Sequence, residues 1–146
     1  MATLREAIIN LLSADSTLSA LLTGGVFNAE DFSFDGGGSD EIPRQADGVL
    51  IDPFGIIRFG DSDKFGPRDV KGRMQNIEIY VYDNVGYTTI DAAIDRLDAL
   101  LDQVRITADD RQLAYLEYAH DSKELDAPEL EGVACRFIRF MNTYIR

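Results

Sequence analysis

Apolar positions near the start of the chain recur at helical spacing: Leu4, Ala7, Ile8, Leu11 and Leu12 share one face. Thr3 precedes them with Glu6 three residues later, a capping box in which each side chain satisfies the other's exposed backbone N–H. Asp15 or Ser16 is placed to cap a second short turn carrying Leu18, Leu21 and Leu22, which Gly24 and Gly25 end. From Val26 to Gly48 the periodicity is lost. Phe32 to Asp40 mixes two aromatic residues with Gly36, Gly37 and Gly38, which predicts a long, flexible loop with apolar spots.

Alternation at period two takes over next. Val49 to Ile51 reads as a short strand stopped at Pro53, and Phe54 to Phe59 as a better one. Gly60 to Gly72 is rich in Gly, Pro and Asp and predicts a protruding connection. In Gln75 to Asp83, Ile77, Ile79 and Val81 alternate with Glu78, Tyr80 and Tyr82, so one face is aliphatic and needs cover. The cover follows directly: Thr88 is placed to cap a helix over Thr89 to Val104, with Ile90, Ala93, Ile94, Leu97, Leu101 and Val104 on one stripe. Asp91, Asp95, Asp98 and Asp102 form its predicted solvent face. Strands over Gln112 to Ala119 and Gly132 to Ile145 complete the chain, and the last is apolar on both faces, which puts it in the middle of a sheet or against another subunit.

This order predicts an α+β fold, an antiparallel or mixed sheet of about four strands with helices packed on one face. The 146 residues suit one domain, with the glycine-rich loop at about 26–48. No stretch approaches eighteen consecutive apolar residues, and the N-terminus has no signal-peptide pattern, so neither membrane spanning nor secretion is expected.

Charge narrows the function. The formal net charge of -12 makes sequence-independent binding of a phosphate backbone an unsuitable task, because such binding rests on Lys and Arg displacing counterions. DNA would pass such a surface without sticking. With Cys135 as the single cysteine, no intrachain disulfide and no thiolate metal cluster can form.

Candidate chemistry is thin. His120 and Cys135 are single, and a nucleophilic pair would need them to meet from different strands; a structural role fits both better. Asp61 with Asp63 and Asp109 with Asp110 lack the spacing of a calcium loop and read as solvated surface. Gly36 to Gly38 sit in acidic surroundings without a Lys-Ser/Thr signature, unsuited to cradling phosphate. Tyr80, Tyr82, Tyr115 and Tyr118 suit sheet packing or a protein interface, since no basic groove accompanies them. Arg136, Arg139 and Arg146 concentrate positive charge on the last strand, suited to the Asp face of a neighbouring copy or, equally, to pairs within one subunit. No catalytic residue, metal site or cofactor is predicted.

The run Phe54 to Asp61 (FGIIRFGD), the Gly/Pro-rich connection, Gln75 to Asp83 (QNIEIYVYD) and Thr89 to Leu101 (TIDAAIDRLDALL) resemble the heart of the tail terminator, or tail completion, proteins of long-tailed viruses. The N-terminal helix and the closing strand match that family's element order, while the insertion between Val26 and Gly48 departs from it. The resemblance implies a non-enzymatic virion protein, assembled in the host cytoplasm into a ring, usually a hexamer, on the head-proximal end of the tail tube. Its implied partners are further copies of itself, the tail tube protein and a head-completion or neck protein, with DNA only passing through the channel. The expected contact residues are Phe32, Phe34, Asp61, Asp63, Phe65, Arg68, Arg136 and Arg139. A neck or head-to-tail connector is the nearest alternative. A small hydrolase or a cytosolic binding module are the readings from other classes.

Overall fold

The computed structural model describes residues 2–33, 40–43, 51–65, 72–126 and 132–145. Helix α1 (Leu4–Ala14) carries the expected capping box: Thr3 Oγ1 accepts from Glu6 N–H and Glu6 Oε2 from Thr3 N–H. Helix α2 (Ser16–Leu21) is capped by Asp15, whose carboxylate accepts from Leu18 N–H at 2.8 Å. Strands β1 (Gly25–Asn28), β2 (Phe32–Ser33) and β3 (Asp40–Glu41) follow, then the long strands β4 (Phe54–Phe65) and β5 (Gly72–Asp83). Helix α3 (Thr88–Leu101) leads to β6 (Val104–Ile106), β7 (Gln112–Asp121), β8 (Leu125–Asp126) and β9 (Ala134–Ile145).

The main sheet runs β1-β4-β5-β9-β7-β6 and curls into a half-barrel, with β8 beside the start of β9. It is mixed: β1 lies parallel to β4, and every other pair is antiparallel. The α+β class and the mixed sheet match expectation, but six strands form it where about four were expected. The two additions are edges. β1 lies at the head of the supposed loop, and β6 takes Val104, which had been assigned to the helix stripe. There α3 stops at Leu101, because Gln103 turns left-handed (φ 58°) and re-aims the chain along the sheet.

Two further expectations change. The stretch from Gly60 is not a protruding connection throughout: β4 continues to Phe65 and β5 starts at Gly72, so a bulged hairpin arm extends the sheet. Cross-strand pairing overrides the local Gly and Asp content. The N-cap of α3 is Tyr87, with no side-chain cap bond, and Thr88 is already helical. Of the strand expected over Val49 to Ile51, only Ile51 lies within the described residues, and it is buried.

The three helices share one core with one face of the sheet. Leu4, Ile8 and Leu12 of α1, Leu18 of α2 and the predicted α3 stripe from Ile90 to Leu101 pack with Ile57, Ile77, Ile79, Val81, Ile138 and Phe140. The opposite face has a smaller core without helices, in which Ile51, Phe54, Ile56, Tyr82, Val133 and Cys135 gather Phe27 and Phe32. β9 sits between β5 and β7 and contributes to both cores, as its two-sided apolar pattern predicted.

Asp15 also ties the helices together, accepting from Arg96 of α3 at 2.6 and 2.9 Å. The Arg96 bonds, followed by the Leu18 N–H, lower its pKa from 3.8 to about 2. A depressed folded-state pKa stabilises above the unfolded value, and that contribution is lost as pH falls through the folded one. In acid titration followed by circular dichroism, Asp15→Asn is therefore expected to lower stability at pH 7, and the gap to the parent chain is expected to close between pH 3.8 and about 2. Leu97, fully buried under α3, gives a second check. Leu97→Ala is expected to cost about 3 kcal/mol in denaturant unfolding, the usual cost of a core cavity.

Candidate assembly surface

His120 is exposed on β7, with its ring 6.0 Å from that of Phe137, and its strand partner is Arg139. Cys135 lies four residues further along β9, about 13 Å away at the strand rise of roughly 3.3 Å per residue, and is buried in the smaller core. The two do not form a nucleophilic pair. Among the described residues no three His, Cys, Asp or Glu side chains are placed to hold a metal ion. A cleft of about 270 Å³ at the start of α1 is bordered by Arg5, Glu6, Asn28, Glu30, Asp110 and Arg111, a mixed-charge lining whose members largely bond each other.

The expected contact residues separate into four groups. Phe32 is drawn inward: its ring lies 5.2 Å from Phe27 and stacks at 5.3 Å on Phe54. An aromatic residue with that cover holds the loop to the sheet. Phe34 and Arg68 lie outside the described residues, as does Arg146. Asp61 and Asp63 are exposed on the β4 arm, and Phe65 closes it as the strand partner of Gly72.

The two arginines of β9 point to opposite faces, and both are engaged within the chain. Arg136 lies on the helix side. Its Nη1 meets Asp91 in the first turn of α3 at 2.6 Å, its Nη2 meets Asp121 at 3.5 Å, and its Nε donates to Ser122 O at 2.9 Å. Arg139 lies on the helix-free face and meets Glu78 across the strands at 2.8 Å. Of the two sequence readings for this positive cluster, pairing within one subunit is the one seen for Arg136 and Arg139.

Around Arg139 the helix-free face is a half-buried mosaic. The rings of Tyr80 and Phe137 lie 5.2 Å apart, Arg58 sits 5.7 Å over Tyr80, and Arg139 5.3 Å over Phe137. Aromatic and guanidinium groups at this exposure suit a protein interface. Burial, followed by the Glu78 charge, pushes the Tyr80 phenol up. This mosaic escaped sequence reasoning because Arg58 and Tyr80 become neighbours only through strand register.

The acidic row on α3 is also not the uniform solvent face expected from spacing. Asp91 holds Arg136, and Asp102 Oδ1 accepts the outward N–H of Tyr118 on β7 at 2.7 Å. Asp98 is half-buried, and its Oδ1 has no hydrogen-bond partner among the described residues. Burial, then the charges of Asp102, Asp121 and Asp95, raise its pKa.

No protein-family model and no curated protein match the chain. Among solved structures, it is similar in fold to a chain of the structure titled "Virion of native gene transfer agent (GTA) particle", at 17% identity and a TM-score of 0.70. The match covers 99% of this chain and 96% of that one.

The Asp98 carboxylate opposes folding wherever it is charged. A raised folded-state pKa makes that cost complete above it and absent below the unfolded value of 3.8. Asp98→Asn is expected to raise the melting temperature at pH 7, and the gain is expected to shrink to nothing as pH falls to 3.8, measured by thermal unfolding across pH.

Proposed function

We propose that this chain is a structural virion protein of the tail terminator type. On this reading, copies form a ring, a hexamer by the family's habit, that caps the head-proximal end of the tail tube, stops its growth and offers a docking face to the head or neck. The observation that carries the reading is the fold likeness to a virion chain over 99% of this chain and 96% of the other. The order of helix, strands, helix, strands that resembled the terminator proteins in sequence recurs in the fold.

One physical feature supports an assembly role: the helix-free face presents aromatic and charged groups at half burial. Capping then works by asymmetric complementarity: one face of the ring matches the last layer of the tube and the other does not, so addition of subunits ends. The net charge of -12 lets packaged DNA thread the channel without adhering.

Electron microscopy of particles made without this chain tests the proposal. Loss of a terminator is expected to leave tails of uncontrolled length, whereas normal-length tails detached from filled heads would assign the chain to the connector instead. Unaltered particles would remove it from the head-tail junction.

A further inference from the structure

β6 is three residues long, and past it the edge of the sheet passes to β7. Its register sets Val104 opposite Leu116 and Ile106 opposite Ala114. Carried two residues further, the same register would set Asp102 opposite Tyr118. The backbone does not follow it: Asp102 closes α3, donating its N–H to Asp98 O, and Gln103 turns left-handed at φ 58°. The side chain reaches the place instead. Asp102 Oδ1 accepts the outward N–H of Tyr118 at 2.7 Å, standing in for the strand carbonyl that β6 stops short of supplying. From Glu117 to Asp121 no described strand pairs with β7 on this side. An open strand edge is a row of backbone donors and acceptors that another strand joins unless something blocks it.

An acid is unfavourable at this position on local grounds. A carboxylate at a helix C-terminus opposes the helix dipole, so helix stability alone would place a neutral or basic residue there. Asp102 also stands with Asp95 and Asp121 around the half-buried Asp98. Arg136 is committed to Asp91 and Asp121, and no ion pair reaches Asp102 among the described residues. What the carboxylate does well is accept an amide strongly while bringing no donor for an incoming strand to pair with. Beside it the register of β7 on β9 shifts between Tyr118 and His120, and a bulge of this kind twists an edge away from flat pairing. The open part of β4 is protected by other means, a bulge after Phe59 and the exposed charges of Asp61, Asp63 and Lys64.

We infer that Asp102 is an edge guard: its carboxylate occupies the Tyr118 amide and keeps this stretch of β7 closed to strand addition. The contact is autoinhibitory, since any strand that pairs here first has to release the Tyr118 N–H from Asp102. It belongs to the single chain and does not depend on the ring reading above.

Three variants of the full chain test the guard in the absence of tail tubes. Each is compared with the parent for melting temperature, for hydrogen exchange at the residue 118 amide by NMR, and for self-association by sedimentation velocity. Asp102→Ala removes the acceptor, so the Tyr118 amide is expected to exchange about tenfold faster and the chain to associate at about tenfold lower concentration. Adding Tyr118→Pro to Asp102→Ala is expected to return association to the parent's level, because proline brings no N–H to the open side and the amide it replaces points away from β9. Asp102→Asn keeps an oxygen acceptor and drops the charge, and is expected to match the parent in both exchange and association. In every folded variant association has to follow exposure of the amide, so Asp102→Asn decides the matter even where Asp102→Ala does not fold. An exposed Tyr118 amide without added association overturns the guard, as does added association with the amide still protected or replaced by proline.

Discussion

A strand in the middle of a sheet with apolar residues on both sides must be covered twice, and β9 imposes that condition on the whole molecule. Ile138 and Phe140 face the helices, while Cys135 sits in the smaller core behind. β5 pairs with β9 along its full length, from Gly72 opposite Ile145 to Asp83 opposite Ala134, and β7 takes most of the other side. With backbone groups satisfied on both edges, the strand's remaining requirement is apolar cover. The three helices supply it on one face, and Phe54, Tyr82 and the inward-turned Phe32 supply it at one end of the other. What stays half-buried on that second face is the mosaic around Tyr80, Phe137 and Arg139.

Charge is organised around the same frame. In a chain of net charge -12, a cation is scarce, and the structure uses its arginines as ties. Arg96 joins α3 to the junction of α1 and α2, Arg136 joins the first turn of α3 to β7 and β9, and Arg139 crosses from β9 to β5. Each is partly shielded, so its pairing resists screening better than an open surface pair does. The unmatched acid is consequently left on the outer side of α3 and beside β7, where Asp98 bears the repulsion.

Legibility followed the range of the interactions. The capping box at Thr3, the Asp15 cap, the α3 stripe and the central place of β9 rest on spacing within a few residues or on one strand's own pattern, and all were readable. The edge strands were not, because Gly25–Asn28 and Val104–Ile106 are too short to show a period and become strands only through pairing with β4 and β7. The hairpin arm was hidden for a related reason: Asp61, Ser62 and Asp63 have turn-like chemistry, and only their partners on β5 hold them extended. Phe32 looked like a docking group for want of any local sign that Phe27 and Phe54 would receive it. Arg136 and Arg139 signalled that positive charge mattered but not to whom, since β9 positions three residues apart are of opposite parity and serve opposite faces.

The short edge strands also decide which parts of the sheet remain open to further pairing. A sheet that ended in two full-length edges would pair indiscriminately, and one closed into a barrel would offer no edge at all. Here β1 and β6 stop after four and three residues, and among the described residues no other strand covers the rest of β4 and β7 on that side. On β7 the uncovered part meets a carboxylate already holding the Tyr118 amide, so a newcomer must both displace or bypass that bond and tolerate the acids around it. On β4 it begins at Arg58, which lies over the Tyr80 ring. Short edge strands thus set which stretches of the long strands are left open among the described residues.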